Sequence, residues 1–487
     1  MNASRVPARE ALVFADRRLT WAQLDREVDR VAAALCALGL EKGDRCALMA
    51  PNCDGFVIAY YAALRLGAIV VPVNTRLAAP EIAHVLRDSG TRVLVFDPGL
   101  AGKVEALTER PPTSVSLAEL TITAPAVPAR DVNESDDAVI LYTSGTTGHP
   151  KGVLLDHQRL LWTGLSQLPT CGLADGERYL HVAPLYHGAG ITFITAMTLV
   201  GGTQVVLPGF DPEAVLDAFE RERITSFLGV PTMYQFLLRQ PGLAERDLSA
   251  WRVGVFGAAP MPETAVREML AALPQVRLIQ QCGQTEAGPG GIYCTPAQVR
   301  ERPDASGRQA MPFYEARVAD EADRDVEPGQ VGELILRGAG VMKGYWNNPD
   351  ATAETLRGGW LRTGDLARVD ADGYITLVDR LKDLIITGGR NVYSVEVENA
   401  IAAHPDVLDC AVVGRSNPDF GESIVAVVAL REGASLTLED VRAHAGELIA
   451  DYKLPHDLVI DEIPRNASGK ILKHELRARI RHKENVR

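Results

Sequence analysis

Tyr142-Thr-Ser-Gly-Thr-Thr-Gly-His-Pro-Lys-Gly152 is the most distinctive stretch of this chain of 487 residues. It contains four hydroxyl side chains after Tyr142, three glycines and one lysine, and it follows the apolar run Ala138-Val-Ile-Leu141, which predicts a buried strand. Glycines let backbone N–H groups approach a ligand closely, hydroxyls donate hydrogen bonds, and a lysine offsets negative charge. The combination favours a loop that binds an oxyanion such as phosphate over an ordinary polar turn.

Two better-known loops of similar composition do not fit this stretch. A Walker phosphate loop needs a lysine between glycine and serine or threonine, whereas Lys151 lies between Pro150 and Gly152. A nucleophile elbow needs a glycine two positions before its serine, and Tyr142 occupies that place before Ser144. The loop therefore predicts phosphate binding of another kind.

Composition and charge are those of an ordinary globular protein. Apolar residues make up 46% of the chain and charged residues 23%, and the formal net charge of −13 disfavours a general nucleic-acid binder. The sequence has no run of 18 apolar residues and no apolar segment near its start, so we expect neither membrane insertion nor a secretory signal. Seven scattered cysteines without a Cys-x-x-Cys pair predict reduced thiols and a cytoplasmic protein.

Strand-like runs alternate with helix patterns through the first 300 residues or so. Thr20-Trp-Ala-Gln23 is a capping box for a helix that ends before Gly39, Asp54 can cap a second helix, and Pro80 begins a third. Residues 109–135 have no period and predict a surface connection. The strands predicted from apolar runs are Cys46–Ala50, Ala68–Val73, Arg92–Phe96, Gln204–Leu207 and Arg252–Phe256. The alternation predicts an α/β domain of several layers with parallel βαβ units.

The sequence changes in character beyond about residue 305. Turns such as Glu327-Pro-Gly-Gln330 between short strand-like segments predict a small antiparallel subdomain. After Arg380, the remaining hundred or so residues contain two helix patterns, around 395–403 and 438–450, and two strand patterns, Asp409–Gly414 and Ile424–Leu430. We therefore predict an α/β protein with a large N-terminal domain, residues 1–379, and a small mobile α+β C-terminal domain, residues 380–487.

Further motifs follow the phosphate loop along the chain. They are Pro184-Leu-Tyr-His187, Phe256-Gly-Ala-Ala-Pro260, Gln280-Gln-Cys-Gly-Gln-Thr-Glu286, Val341-Met-Lys-Gly-Tyr345, Trp360-Leu-Arg-Thr-Gly-Asp365, Asp379-Arg-Leu-Lys-Asp383, Gly388-Gly-Arg-Asn391 and Pro464-Arg-Asn-Ala-Ser-Gly-Lys-Ile471. With these motifs in this order, the chain from about residue 10 to residue 475 resembles the adenylate-forming superfamily of acyl-CoA synthetases, aryl-CoA ligases, luciferases and amino-acid adenylation domains. Within it, the chain looks most like free-standing bacterial 4-coumarate/feruloyl-CoA and fatty-acyl-CoA ligases.

The resemblance implies a nucleotide site built from several motifs. Thr285 would contact the α-phosphate and Glu286 would bind Mg²⁺, a hard cation for which a carboxylate is a suitable ligand. Asp365 would accept hydrogen bonds from both ribose hydroxyls, and Lys470 would be the catalytic lysine. The other nucleotide contacts implied are Thr143, Ser144, Gly145, Thr146, Thr147, Gly148, Lys151, Gly257, Ala258, Ala259, Gln281, Cys282, Gly283 and Arg380.

The resemblance also implies an acyl pocket and a path for a thiol. The pocket candidates are His187, which would gate it, and Gly188, Val230, Phe256, Gly288 and Ile292. Their small apolar character favours an aromatic or medium-length aliphatic acid, and the absence of an acidic residue beside His187 disfavours an amino acid. Lys382 would be the hinge between the domains. Gly388, Gly389 and Arg390 would line a tunnel for coenzyme A, although two adjacent glycines also suit a surface turn.

Three positions depart from the usual motifs of this superfamily. Gln281 replaces a glycine, and Cys282 replaces the aromatic residue that stacks on adenine. The lost stacking is worth about 0.5–1.5 kcal/mol, and we expect it to be tolerated because cysteine still fills an apolar slot. Arg390 stands where many members have Glu or Phe.

The reaction implied by the resemblance uses ATP, Mg²⁺ and coenzyme A. A carboxylate attacks the α-phosphate of ATP and gives an acyl-adenylate and pyrophosphate, after which the thiol of coenzyme A displaces AMP. Transfer to an amine or a carrier protein and activation of another small oxyanion are the alternatives. A nucleotide-binding protein without catalysis is disfavoured because Lys470, Glu286 and Asp365 are all present. The identity of the acid and the oligomeric state are left open, with a homodimer among the states considered.

Overall fold

The chain forms two compact units in the computed structural model, which describes residues 2–120, 130–143, 150–258, 261, 263–465 and 471–485. Unit 1 comprises Met1–Ala316 and Ile335–Thr363, and unit 2 comprises Arg317–Leu334 and Gly364–Arg487. This division differs from the domain boundary drawn at residue 380 from the sequence, and that boundary stays a prediction.

Helices and strands alternate along most of the described chain. The strands are β1 (Glu10–Phe14), β2 (Arg17–Thr20), β3 (Arg45–Met49), β4 (Ile69–Pro72), β5 (Thr91–Phe96), β6 (Thr113–Ser116), β7 (Asp137–Thr143), β8 (Lys151–Asp156), β9 (Arg178–His181), β10 (Thr203–Val206), β11 (Ser226–Gly229), β12 (Val253–Gly257), β13 (Arg277–Gly283), β14 (Gly291–Cys294), β15 (Gln309–Ala310), β16 (Tyr314–Ala319), β17 (Val331–Gly338), β18 (Gly344–Tyr345), β19 (Leu356–Arg357), β20 (Trp360–Val369), β21 (Ile375–Arg380), β22 (Ile385–Thr387), β23 (Arg390–Val392), β24 (Val407–Asn417), β25 (Gly421–Leu430) and β26 (Asp457–Ile460). The helices are α1 (Asn2–Arg5), α2 (Trp21–Ala37), α3 (Asp54–Arg65), α4 (Ala79–Ser89), α5 (Ala101–Glu105), α6 (His157–Cys171), α7 (Gly188–Val200), α8 (Pro212–Arg221), α9 (Pro231–Leu238), α10 (Glu263–Ala272), α11 (Pro296–Glu301), α12 (Pro349–Thr355), α13 (Ser394–Ala402), α14 (Leu438–Gly446) and α15 (Lys473–Asn485).

Unit 1 contains two sheets with parallel centres and antiparallel edges. The nine-stranded sheet has the order β15-β14-β13-β12-β11-β9-β10-β1-β2, and its strands from β13 to β1 are parallel. The seven-stranded sheet has the order β18-β8-β7-β4-β3-β5-β6, and its strands from β7 to β6 are parallel. Parallel strands need long crossover connections, which the helices supply. The predicted α/β class is confirmed.

The central strands of unit 1 are largely buried on both faces, and most of their buried side chains are apolar. Ala138, Val139, Ile140 and Leu141 of β7 are at most 3% exposed, which confirms the buried strand predicted ahead of the phosphate loop. Beside the nine-stranded sheet, the ring of Trp251, which precedes β12, stacks on that of Phe219 of α8 at 4.2 Å between centroids. These packed layers fix the ends of the strands that lead into the site.

Unit 2 contains an antiparallel sheet, β23-β22-β25-β24, to which β26 adds in parallel next to β25. Side chains of β24 alternate between two clusters, because successive residues of a strand point to opposite faces. Val412 packs with Val397 of α13 and Val441 of α14, whereas Ala411 and Val413 pack with Leu476 of α15. The small α+β C-terminal region expected from the sequence is confirmed. A separate five-stranded sheet has the order β16-β17-β20-β19, with β21 beside β20.

Local signals predicted some helix starts and strands correctly and missed others. The capping box is confirmed, because the Gln23 N–H donates to Thr20 Oγ1 at 3.3 Å and the Thr20 N–H donates to Gln23 Oε1 at 2.8 Å. The cap of α3 is Cys53, whose sulfur accepts from the Phe56 N–H, and Asp54 is already helical. The aperiodic connection contains the short, largely polar strand β6, whose ladder with β5 supplies the pairing that its sequence does not reveal.

Membrane and disulfide features are absent from the described part of the chain. No helix there is long and apolar enough to cross a membrane. All seven cysteines lie within the described residues, and none of them forms a disulfide.

Candidate active site

Four neighbouring parallel strands of the nine-stranded sheet lead into predicted site residues of unit 1. The loop after β9 reaches His187, β11 precedes Val230, β12 ends at Gly257, and β13 ends at Gly283. Because these strands are adjacent and parallel, their carboxyl ends lie at one edge of the sheet. Ligands of open α/β sheets bind outside the carboxyl ends of the strands. This edge is therefore the candidate active site of unit 1.

The ends of β12 and β13 approach closely because β12 ends in a glycine. Gly257 is the register partner of Gln281, and a Cβ on Gly257 would lie 1.9 Å from the carbonyl oxygen of Gln281. A side chain at this position would push the two strands apart. Ala258 follows with a φ of +64°, in the left-handed region. Backbone packing therefore requires Gly257, one of the predicted nucleotide contacts, whatever ligand binds there.

Gln281, one of the departures from the usual motif, is hydrogen-bonded to helix α6. Its Nε2 donates to Gln167 Oε1 at 2.9 Å and to Cys171 Sγ at 3.4 Å. Both partners are buried, and burial raises the pKa of the Cys171 thiol to about 12, so that the thiol is protonated at neutral pH. Cys282, the next residue of β13, is the register partner of Ile292 and points to the opposite face of the sheet. The two unusual residues therefore face different surroundings.

Glu286 and Lys151 come together through the side chain of Tyr345. Glu286 lies in the turn after β13, and its Oε1 accepts a hydrogen bond from the Tyr345 hydroxyl at 3.0 Å. The Lys151 Nζ lies 5.0 Å from the centroid of the same tyrosine ring. From the sequence, the motif that ends at Tyr345 is interpreted as mainly scaffolding, with no ligand contact predicted for the tyrosine. Its place in the quoted motif is the only local signal that could have singled it out, since 59 residues separate it from Glu286.

His187 is a neutral ring at the start of α7. It occupies the N-cap position without a capping hydrogen bond, and its Nε2 is buried with no hydrogen-bond partner among the described residues. Burial lowers the pKa of His187 to about 4. The ring is tilted against that of Tyr186 at 4.9 Å between centroids. At neutral pH, His187 therefore presents an uncharged surface.

The other pocket candidates are packed closely around the same edge. A Cβ on Gly188 would lie 2.6 Å from Cγ of Pro289, so the first residue of α7 approaches the turn after Glu286 closely. Gly288 has a φ of +65°, and its Cβ would lie 2.1 Å from the Gly340 carbonyl oxygen. Three further candidates are buried: Val230, Phe256 and Ile292.

Two of the predicted nucleotide-binding residues form an ion pair in unit 2. Asp365 on β20 is the register partner of Arg380 on β21, and the Arg380 Nε lies 2.8 Å from Asp365 Oδ1. Asp365 is 8% exposed. The Arg380 guanidinium orients the Asp365 carboxylate, and a carboxylate suits bidentate recognition of a diol.

The predicted hinge and tunnel residues occupy two turns of unit 2. Lys382 lies in a turn over Leu381–Asp383, where burial lowers the pKa of its ammonium group. Gly388 and Gly389 form the two-residue loop between β22 and β23, with φ of +55° and +73°. Positive φ at both loop positions is what a tight hairpin of this kind demands, so the hairpin itself explains both glycines. The Arg390 guanidinium lies over the ring of Tyr452 at 4.9 Å.

Several predicted residues lie outside the described part of the chain: Ser144, Gly145, Thr146, Thr147, Gly148, Ala259 and Lys470. Their flanks are described. Thr143 pairs with Lys151 across the β7–β8 hairpin, and Arg465 forms an antiparallel bridge with Ile471. The Arg465 guanidinium also donates hydrogen bonds from two of its nitrogens to the Asp409 carboxylate at 2.8–3.1 Å. The ends of both predicted loops are therefore held by backbone pairing.

Comparison with known proteins identifies the family. Residues 1–346 match the AMP-binding enzyme family, and residues 396–470 match the AMP-binding enzyme C-terminal domain. A feruloyl-CoA synthase of Amycolatopsis sp is 40% identical, with 98% of this chain and 97% of that protein covered. An indoleacetate–CoA ligase of Aromatoleum aromaticum is 36% identical over 99% of this chain and 97% of the relative. The solved structure of Bacillus subtilis o-succinylbenzoate CoA synthetase with its acyl-adenylate intermediate superimposes with a TM-score of 0.90, at 29% identity and with 98% and 96% of the two chains covered. The chain belongs to the AMP-binding enzyme family, within the adenylate-forming superfamily, and is an ATP-dependent, AMP-forming acid–thiol ligase.

Proposed function

We propose that this ligase activates an aromatic or medium-length aliphatic carboxylic acid and transfers the acyl group to the thiol of coenzyme A. The observation that carries the proposal is the arrangement of Glu286, Tyr345 and Lys151 beside the carboxyl end of β13. There the Glu286 carboxylate, which suits a cation, and the Lys151 ammonium, which suits phosphate, both contact the side chain of Tyr345. The neutral His187 at the same sheet edge supports an uncharged acyl group. The names of the two relatives, which contain feruloyl and indoleacetate groups, support an aromatic acid.

In the first step, a carboxylate oxygen of the acid bonds to the α-phosphorus of ATP while the bond from that phosphorus to pyrophosphate breaks. Both reactants are anions, so catalysis is mostly charge neutralisation and alignment. We assign Lys470 to the attacking carboxylate and the α-phosphate, Thr285 to the α-phosphate, and Asp365 with Arg380 to the ribose side. Lys151 and the hydroxyls of the phosphate loop hold the departing pyrophosphate.

Glu286 is the residue that we assign to Mg²⁺. Its Oε1 accepts the Tyr345 hydroxyl, which orients the carboxylate and leaves Oε2 for a cation, so the residue fits a hard metal ion held largely by phosphate oxygens. When bound, the cation supplies positive charge that offsets the charge of the phosphates.

In the second step, the thiol of coenzyme A attacks the acyl carbon and AMP leaves. Lys470 must withdraw and a channel for the thiol must open, which rotation of the C-terminal region about Lys382 would achieve. Gly388, Gly389 and Arg390 are the residues that we assign to the channel. Transfer to an amine or to a carrier protein is the alternative that the assay below separates from acyl-CoA formation.

We further place the enzyme in the cytoplasm, a proposal supported by seven cysteines without a disulfide. A homodimer stays a prediction. Light scattering of the purified protein will determine its oligomeric state.

The test is a panel of carboxylic acids assayed for pyrophosphate release with and without coenzyme A, using the wild type, Lys470→Ala and the exposed-lysine control Lys42→Ala. Removing a preorganised charge of this kind costs about 2.7–4 kcal/mol in the transition state, or roughly 100-fold to 1,000-fold in rate. We expect Lys470→Ala to lose adenylate formation while it still converts a supplied acyl-adenylate to the thioester. Full pyrophosphate exchange in Lys470→Ala would rule out the assignment, and pyrophosphate release by the wild type without acyl-CoA formation would favour the alternative acceptors.

A further inference from the structure

The backbone of Tyr345 is fixed by the hairpin that carries the phosphate loop. Tyr345 forms the two-residue strand β18 with Gly344, antiparallel to β8, and its register partner there is Val153. The Trp346 N–H donates to the Gly152 carbonyl at 2.7 Å, and the Lys343 N–H donates to the Leu154 carbonyl at 2.9 Å. Because β8 begins at Lys151, the position of this tyrosine is set directly by the end of the phosphate loop.

The same segment is also held from its other side. The Met342 N–H donates to the backbone carbonyl of Glu286 at 2.9 Å. The Tyr345 N–H donates to Thr352 Oγ1 at 2.9 Å, and that hydroxyl donates to the Asn348 carbonyl at 2.7 Å. The neighbours of Tyr345 in the chain therefore bond both to the strand that carries Lys151 and to the turn that carries Glu286.

The side chain of Tyr345 then contacts both charged groups at once. Its hydroxyl donates to Glu286 Oε1 at 3.0 Å, and the Lys151 ammonium lies 5.0 Å from its ring centroid, a distance typical of a cation–π contact. A phenylalanine could fill the same space and face the lysine, but it could not bond the carboxylate. The hydroxyl therefore has a role that packing alone does not require.

We propose that Tyr345 is a positioning residue for the nucleotide and its metal ion: its hydroxyl sets the orientation in which Glu286 offers Oε2 to Mg²⁺, and its ring sets the position of the Lys151 ammonium. This inference rests on the proposed function, which assigns Glu286 to the metal ion and Lys151 to pyrophosphate. Partners of this kind, which bond a metal ligand without touching the metal, typically change metal affinity by about 10-fold to 100-fold when they are removed.

The two contacts are separable by mutation. Tyr345→Phe removes the hydroxyl and keeps the ring, so it should affect Glu286 alone. Tyr345→Leu removes both contacts. Tyr61→Phe is the matched control, because it loses a part-buried phenol hydrogen bond of similar length, 2.7 Å to Thr198 Oγ1, between α3 and α7.

The experiment measures the dissociation constant of ATP by calorimetry, without acid, once in saturating Mg²⁺ and once in EDTA. The dissociation constant in EDTA divided by that in Mg²⁺ gives a ratio that reports, independently of turnover, how strongly the metal ion supports nucleotide binding. We expect Tyr345→Phe to reduce this ratio about 10-fold or more relative to the wild type, with the constant in EDTA unchanged. We expect Tyr345→Leu also to weaken binding in EDTA, and Tyr61→Phe to match the wild type in both.

Glu286→Gln, measured in parallel, separates failure of this inference from failure of the proposed function. If Glu286→Gln collapses the ratio and Tyr345→Phe leaves it intact, the positioning role of Tyr345 is wrong while Glu286 keeps its assignment. If Glu286→Gln leaves the ratio at the wild-type value, both the metal assignment and this inference are overturned. Tryptophan fluorescence during thermal unfolding checks that each variant folds, and Tyr345→Phe alone tests the hydroxyl if the leucine variant does not.

Discussion

Replacing Lys473 by methionine should lower the free energy of unfolding of unit 2 and leave that of unit 1 unchanged. Lys473 is the first residue of α15, and its ammonium lies 2.7 Å from Glu398 and 2.5 Å from Ser394 Oγ. Ser394 in turn donates to Asp379 through both its backbone N–H and its hydroxyl. Lys473 of α15 is thus connected to Glu398 and Ser394 of α13 and, through Ser394, to Asp379 of β21. Burial raises the pKa of Glu398, and the Lys473 ammonium opposes that rise by favouring the ionised carboxylate.

The expected magnitude follows from how little water reaches the pair. The side chains of Lys473 and Glu398 are 11% and 13% exposed. Removing one partner of a buried pair typically destabilises a protein by about 3–5 kcal/mol, because the other charge is left uncompensated. Glu398 keeps one donor, the Val412 N–H at 2.8 Å, so we expect about 3 kcal/mol, at the lower end of that range. This corresponds to a roughly 140-fold increase in the equilibrium constant for opening of unit 2.

Hydrogen exchange is the assay that can detect this change. All five tryptophans (21, 162, 251, 346 and 360) belong to unit 1, so their fluorescence reports mainly on unit 1. Amides of β24 and β25 should exchange faster in Lys473→Met, while tryptophan-detected urea unfolding stays at the wild-type midpoint. The control Arg324→Met breaks an exposed pair with Asp320 in the same unit and should cost at most about 1 kcal/mol. The reasoning is refuted if the two variants exchange alike, or if adding Glu398→Gln to Lys473→Met does not recover part of the loss.

Two further predictions concern pH and the unusual cysteine. Burial opposes ionisation of Glu222, but hydrogen bonds from Arg18 and Arg221 outweigh it and lower the pKa of Glu222. The stability that this adds is present above the ordinary glutamate pKa of about 4.3 and is lost as the pH falls through the lowered pKa. Tryptophan-detected urea unfolding should therefore depend less steeply on acid pH in Glu222→Gln, and an unchanged slope would contradict this. Cys282→Tyr should restore an aromatic surface and leave the KM for ATP in pyrophosphate exchange unchanged or up to about 10-fold lower; loss of ATP use by a folded variant would show that this pocket is built differently.

Much of the fold followed from local patterns. The apolar runs predicted β3, β4, β5, β7, β10 and β12, because strands buried on both faces are mostly apolar. The reciprocal bonds of Thr20 and Gln23 were predictable from spacing alone, since a capping box closes within four residues. Strand β6 was missed because its few polar residues carry no period and are held by the ladder with β5.

The sequence by itself determined the α/β class, the order of the motifs and the identities of the charged residues that the family's chemistry needs. Only the tertiary structure decided which of these residues meet: Tyr345 with Glu286 and Lys151, Gln281 with Gln167, and Lys473 with Glu398. Helix and strand periods arise from neighbours a few residues apart, so they can be read along the chain. Contacts between distant residues depend on the order of strands in a sheet and on the close approach of backbones, as at Gly257, and no local period encodes either.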